Sequence, residues 1–421
     1  MHDRKQIAMM KEISTLLSAA KRFQPDLTSF LCDLIRIPSV NGRDTEAAMA
    51  SRVEGEARTL GLESRLIALQ PEHPNILVTY GKGTDRFALI AHMDTVVEGD
   101  ETGWSSPPFA GEIKEGRIIG RGAADNKAGL ACSLYTLALL RELKLIDPVH
   151  QQVIVAGVVD EESGANSPLG VRHLLDTGGL QARGAIYTYT SDIVCIGHRG
   201  LLRLALNAYG QSIHAGVAEW HNRTRGANAV MALAELLLKL ESLNVPVLSP
   251  PGFEHLGFTV TPGTIFQGGS FPSIVPDSAR ALVDIRLLPG QSSAEVLELV
   301  RNKIRAVENE RAGISFEMKV SVDIPGAVIP QYHPLALLAQ DYTEAVTGRR
   351  WQTAGAGPAN EGYMLIGARI PTLCGFGPTG GNPHAPDEWV ELDSLPATIA
   401  MFAGIIHDYL NLAKENENVA T

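Results

Sequence analysis

The stretch "QQVIVAGVVDEESG" (Gln151–Gly164) is an apolar run that stops abruptly at three adjacent carboxylates, Asp160, Glu161 and Glu162. Short apolar runs without alternation read as strands buried on both faces. "NILVTYG" (Asn75–Gly81) and "FALIAHMD" (Phe87–Asp94) have the same texture. Between Asp94 and Gln151 lies "KAGLACSLYTLALLREL" (Lys127–Leu143), which reads as a helix with small residues on one face. Upstream, residues 26–37 have helical apolar spacing up to Pro38, and "EAAMASRVEGEARTLG" (Glu46–Gly61) reads as a second helix closed by its glycine. Strands alternating with helices indicate an α/β layer with a mostly parallel sheet. In such sheets, sites form at the carboxyl edge. Two of these strands end there in polar clusters, His92–Asp94 and Asp160–Glu162.

After "GHRG" (Gly197–Gly200) the texture changes. "LLRLALNAYG" alternates like a half-buried strand, a helix spans about Ala227–Leu243, and two strands follow over "FTVTPGTIFQGG" and "ARALVDIRLLPG". A helix ("SAEVLELVRNKIRAVENER") and a strand ("ISFEMKVSV") complete the order β-α-β-β-α-β, that of a ferredoxin-like α+β module. Beyond about residue 325 the chain returns to segments punctuated by Pro and Gly. The expected organisation is a first domain in two parts, 1–199 and 325–421, interrupted by a second at 200–324.

With 421 residues, the chain is long for one core. Its 45% hydrophobic and 20% charged residues are a globular profile, and a net charge of −11 argues against nucleic acid or an anionic membrane as main partner. Cys32, Cys132, Cys195 and Cys374 are far apart and form no CxxC pair. They are expected to be buried free thiols of a cytoplasmic protein rather than zinc ligands or disulfides. The first 23 residues alternate charged and apolar positions, as an amphipathic helix does and a signal peptide does not. No run approaches the roughly 18 apolar residues of a membrane span.

Hydrolytic metal sites draw on His, Asp and Glu. In "AHMDT", His92 and Asp94 flank one residue, so both side chains fall on one side of the strand end, where a carboxylate orients an imidazole. Asp125 follows the glycine-rich loop "GRGAADNKAG", which alone could equally be a turn or an anion-binding helix start. "DEE" alone reads as a solvated loop. His384 lies in "NPHAPDEWV", and a further carboxylate is expected near "YTYTSD" (Tyr187–Asp192).

Together, in this order, "LIRIPSVNG", "HMDT", "GRGAADNKAG", "VVDEESG", "GHRG", "SIHAG", "GANAV", "IVPDSARALVDIRLLPG" and "HAPDEWV" resemble the co-catalytic zinc hydrolases. That family includes acetylornithine deacetylase, succinyl-diaminopimelate desuccinylase, aminoacylase-1 and carboxypeptidase G. The resemblance spans nearly the whole chain. It implies a zinc-hydrolase catalytic domain interrupted by a ferredoxin-like lid that also makes a homodimer. It implies two divalent ions, zinc with cobalt or manganese as other candidates. His92 would ligate the first ion, Asp125 would bridge, and Glu162 and His384 would complete the second. Asp94 would orient His92, and Glu161 would be the general base. His214 in "SIHAG" would stabilise an oxyanion in the partner subunit's site, while Arg199 and Arg286 would hold a substrate carboxylate.

The pattern breaks in three places. Where the family has the first ion's carboxylate, this chain has Thr188 or Tyr189; either a rearranged loop makes Asp192, the only nearby acid, a ligand of the first ion, or that ion has a poor site. Ser273 replaces a common substrate-contacting Asn, and Asn360 stands where an acid is frequent. The expected function is a metal-dependent hydrolase of an amide in an N-acyl amino acid or small peptide carrying a carboxylate. The missing carboxylate motivates two others: a non-catalytic binding protein on the same scaffold, and a one-metal hydrolase using Asp125, Glu162 and His384.

Overall fold

The computed structural model describes residues 2–246 and 249–419, with side chains at 12–246 and 249–412. By its contacts the chain forms two units. One comprises the residues up to Gly197, Val328–Ala356 and the stretch from Asn360 onward; the other comprises His198–Ala327 with Gly357–Ala359.

The first unit is built on a six-stranded sheet in the order Glu63–Ile67, Asn75–Gly81, Gln151–Val158, Asp85–His92, Gly184–Tyr187, Thr372–Leu373. The last four run parallel, while Asn75–Gly81 lies antiparallel to Gln151–Val158 and Glu63–Ile67 antiparallel to Asn75–Gly81. Residues 87–92 are buried throughout, as a central strand covered on both faces requires. The helix Ala128–Glu142 is buried from Ala128 to Leu140, all round and not on one face only, because it packs against both the sheet and the long helix Ser394–Val419. The helix Pro334–Thr347 lies in the stretch punctuated by Pro and Gly; its proline sits in the first turn and Gly348 closes it at φ 75°.

Register fixes which loops meet. His92 lies opposite Val158, and Tyr187 opposite Ile90. Three parallel strands therefore end side by side and deliver residues 92–94, 160–162 and 188–189 to one edge. A small antiparallel sheet of Glu112–Lys114, Arg117–Ile119, Trp389–Glu391 and Gly380–Gly381, absent from the sequence reading, ties the loop after Ile119 to the loop before Trp389. It brings Asp125 and His384 to the same place.

The second unit is a four-stranded antiparallel sheet in the order Thr259–Gly268, Ser278–Leu287, Gly200–Tyr209, Ser315–Ile324. With helices Ala229–Glu241 and Ser293–Glu310 this is ferredoxin-like. Leu202, Leu204, Leu206, Val283 and Ile285 alternate into its core against Leu233, Leu236 and Val300 of the helices. The edge strand Thr259–Gly268 is largely exposed, Ile265 and Phe266 included.

Candidate active site

His92, the last residue of its strand, is fully buried. Its Nδ1 lies 3.0 Å from the Asp94 carbonyl oxygen and 3.5 Å from Asp94 Oδ1, and its Nε2 lies 2.8 Å from Asp125 Oδ1. Asp94, also fully buried, does more than face His92. Its Oδ1 accepts the Glu161 amide at 3.2 Å, and its Oδ2 accepts the Glu162 amide at 2.9 Å. The Asn41 side-chain amide donates to Asp94 Oδ2 at 3.0 Å and to Asp160 Oδ1 at 2.7 Å. Asp160 Oδ2 accepts the Ser167 hydroxyl at 2.5 Å, and Asp160 itself turns the chain at φ 60°. The three adjacent carboxylates thus have separate tasks. Asp160 makes the turn and is tied by Asn41 and Ser167, while Glu161 and Glu162 are presented by Asp94.

Asp125 is held by Glu388, a fully buried residue four positions after His384. Glu388 Oε1 accepts the amides of Ala124 (2.8 Å) and Asp125 (2.9 Å). Its Oε2 accepts the Gly122 amide (3.1 Å) and the buried Arg121 guanidinium (2.6 Å). Gly122 has φ 86°, which glycine adopts without the steric penalty of a side chain, and the Asp125–Asn126 peptide is cis. Asn126 donates to the Thr188 carbonyl, joining this loop to a third strand end. Buried Lys127 donates to the carbonyls of Leu34 (2.9 Å) and Ile37 (2.8 Å), anchoring the loop to the helix Gln24–Arg36; burial pushes its ammonium down to about 7.

His384, at φ 63°, places Nε2 3.0 Å from Glu162 Oε1 and 3.3 Å from Asp125 Oδ2. Those two carboxylates, Asp125 first, push its imidazole up to about 10. Burial raises Asp125, but hydrogen bonds from His384 and His92 outweigh it and hold that carboxyl well below its usual range. Ligand atoms of His92, Asp125 and Glu162 all lie within 4.8 Å of one another. Two ligands bound tetrahedrally to a common ion stand roughly 3.3 Å apart, so the separations around Asp125 suit a divalent cation.

Glu161 is buried, and burial pushes its carboxyl well up. Tyr189 Oη donates to Glu161 Oε1 at 3.3 Å. The Tyr189 ring stacks on Tyr187 at 5.4 Å and tilts against the His92 ring at 5.7 Å. Thr188 Oγ1 turns away and donates to the Ile90 carbonyl at 3.0 Å. Asp192, expected as a metal ligand, is not brought to the cluster. Its side chain is 76% exposed, and its carboxylate lies 3.9 Å from Arg349. The reason is the path of the chain, which leaves the sheet edge after Tyr189 as the Ser191 amide pairs with the Pro378 carbonyl. Asn360 is a buried structural residue, donating to the Cys374 carbonyl at 2.6 Å and accepting the Gly362 amide at 2.9 Å.

In the second unit, His214 is exposed and its Nδ1 accepts the Gly216 amide at 3.0 Å. The neighbouring Ala215 amide donates to the Ser273 carbonyl at 2.8 Å, so His214 and Ser273 lie side by side. Arg199 donates to the carbonyls of Gly257 (3.1 Å) and Gly357 (3.4 Å). Arg286 pairs with Asp284 at 2.7 Å, a carboxylate it shares with Arg203. Arg199 is lowered by burial and then by the nearby Arg286 charge.

Sequence reasoning missed Glu388, Asn41 and the placement of Tyr189. Glu388 and Asn41 stood inside quoted motifs, "HAPDEWV" and "LIRIPSVNG", and Tyr189 in the slot of the missing carboxylate, but spacing does not say which distant groups they meet.

The fold and these residues define a hydrolase scaffold with a carboxylate- and histidine-lined centre. The family model for peptidase family M20/M25/M40 matches residues 88–408, and the chain belongs to that family. It is 28% identical over 406 residues to the uncharacterised protein YgeY of Escherichia coli strain K12, covering 93% of this chain and 96% of YgeY. It is 28% identical over 402 residues to a succinyl-diaminopimelate desuccinylase of Cereibacter sphaeroides, covering 91% and 99%. The fold is shared with aminopeptidase PepT of Bacillus cereus (TM-score 0.73, 21% identity, 91% of this chain and 98% of PepT). Human carnosine dipeptidase 1 shares it too (TM-score 0.71, 13% identity, 95% and 99%). Among the described residues no helix is long and apolar enough to cross a membrane.

Proposed function

We propose that this chain is a metal-dependent amidohydrolase or peptidase that cleaves an amide in an N-acyl amino acid or small peptide bearing a carboxylate. The observation that carries this reading is the pairing of two adjacent glutamates with separate surroundings. Glu162 faces the donor cluster of His384 and Asp125, whereas Glu161 is buried beside a tyrosine hydroxyl. Asp125, Glu162 and His384 would hold a divalent ion, zinc or else cobalt or manganese, and any second ion would lie beside His92. Such an ion polarises an amide carbonyl and lowers the pKa of a neighbouring water. Glu161 then acts through its own atoms. Oε1 accepts the Tyr189 hydroxyl, which leaves Oε2 to take a proton and return it to the leaving amine. Asp94 keeps both glutamate backbones in place while this happens.

Arg199, Arg286 and Ser273 serve substrate binding, an arginine fork being suited to a carboxylate. His214 serves as the oxyanion donor of the partner subunit's site in a homodimer made through the lid. The exposed large apolar side chains Ile265, Phe266, Phe271 and Ile274 of the lid support that dimer. Four free, buried cysteines suit a reducing cytoplasm. The desuccinylase likeness supports an acyl group as one product.

The test is a panel of N-acetyl, N-succinyl, N-formyl and N-carbamoyl amino acids with dipeptides, assayed with added zinc, cobalt or manganese. Hydrolysis that chelation abolishes and metal restores is expected. Hydrolysis indifferent to chelation sinks the reading.

A further inference from the structure

Resting on the metal-hydrolase reading, we infer that the centre is asymmetric: one divalent ion is held tightly by Asp125, Glu162 and His384, and Tyr189 fills the place of the carboxylate that a second ion beside His92 needs. Three observations carry this. Tyr189 is the residue that leaves the strand Gly184–Tyr187 toward His92, with ring centroids 5.7 Å apart. Its hydroxyl is committed to Glu161 Oε1 at 3.3 Å, so it holds the base and does not offer a bare anion to a cation. The other two candidates are accounted for elsewhere, Thr188 on the Ile90 carbonyl and Asp192 at the surface near Arg349.

Charge points the same way. Asp125 and Glu162 carry two negative charges, which match one dication. A second dication would have His92 as its one further donor, because the carboxylates around His92 are engaged elsewhere: Asp94 on the Glu161 and Glu162 amides, Glu161 on the Tyr189 hydroxyl and Glu361 on the Tyr187 hydroxyl. Tyr189 is therefore a positioning residue for Glu161 in a one-ion centre.

The experiment counts ions without reference to turnover. Full-length protein stripped with chelator is titrated calorimetrically with Zn²⁺ and, separately, Co²⁺, and metal retained after desalting is measured by mass spectrometry. One ion per chain is expected for the wild type and two for Tyr189→Glu. The second step should tighten by more than the about 10–100-fold that outer partners of metal ligands contribute. Tyr189→Phe should keep one ion. Two tight ions in the wild type overturn the inference, and a fall from two to one in Tyr189→Phe would identify the phenol as a ligand instead. A Tyr189→Glu protein that folds, by circular dichroism, yet holds one ion also overturns it; if that variant does not fold, the wild-type and Tyr189→Phe counts decide. No ion bound after loading sinks both this inference and the hydrolase reading. One tight ion with no hydrolysis of any panel substrate sinks the hydrolase reading alone.

Discussion

Glu388 Oε1 accepts the backbone amide of Asp125 at 2.9 Å, so the residue that places the central carboxylate of the cluster comes from a loop 263 positions away. The same loop carries His384, whose Nε2 lies 3.3 Å from Asp125 Oδ2. One segment thus supplies a donor to the cluster and also shapes the backbone of the opposite loop.

Glu388→Gln tests that arrangement. The glutamine oxygen can keep the Ala124 and Asp125 amides, but its NH₂ then faces the Gly122 amide and the Arg121 guanidinium, donor against donor. Breaking a buried ion pair costs about 3–5 kcal/mol. Denaturant unfolding should show a loss of that order, and metal affinity by calorimetry should fall about 10–100-fold.

Glu161→Gln should lower hydrolysis by roughly 10²–10⁴-fold while leaving metal content unchanged, because Glu161 meets the cluster as a proton carrier and not as a donor. Side-by-side kinetics and metal analysis check this. Loss of metal with the substitution would make Glu161 a ligand instead.

Asp94→Ala removes the acceptor of the Glu161 and Glu162 amides and of the Asn41 side chain. Both metal affinity and turnover should fall together, unlike Glu161→Gln. Asn41→Ala should produce a milder version, since it leaves both amide contacts in place.

The metal-free protein should show a pH dependence that comes from His384. Its folded value of about 10 lies above its usual 6.5. The stabilisation it contributes is therefore complete below about pH 6.5 and is lost as pH rises through about 10. A cation replaces the proton, so metal affinity should climb across that window with proton release. Buried Lys127, pushed down to about 7, contributes in the opposite sense. The informative quantity is accordingly the difference between Tm profiles of wild type and His384→Asn, measured with chelator from pH 6 to 10. A difference that does not shrink as pH rises counts against the assignment.

Much of this architecture was legible in residue order. Apolar runs without alternation at Phe87 and Gln151 required a sheet covered on both faces, and alternation from Leu201 required a half-open one. Polar residues placed where parallel strands end, His92–Asp94 and Asp160–Glu162, marked the edge at which a site forms. Chain spacing carries such information because side-chain direction repeats along a strand. It cannot say which side chain a later loop will meet. Tyr189 rather than Asp192 faces His92 because the chain departs the sheet after two residues, and that departure is set by pairing with Pro378. Glu388 and Asn41 act through backbone amides and second carboxylates from distant segments, and only the converging strand ends and the small sheet at Trp389 bring them there. The sequence by itself determined the elements and the residue types of the centre. The tertiary structure decided which of those residues touch, because hydrogen bonds between distant loops depend on register and exit path rather than on position along the chain.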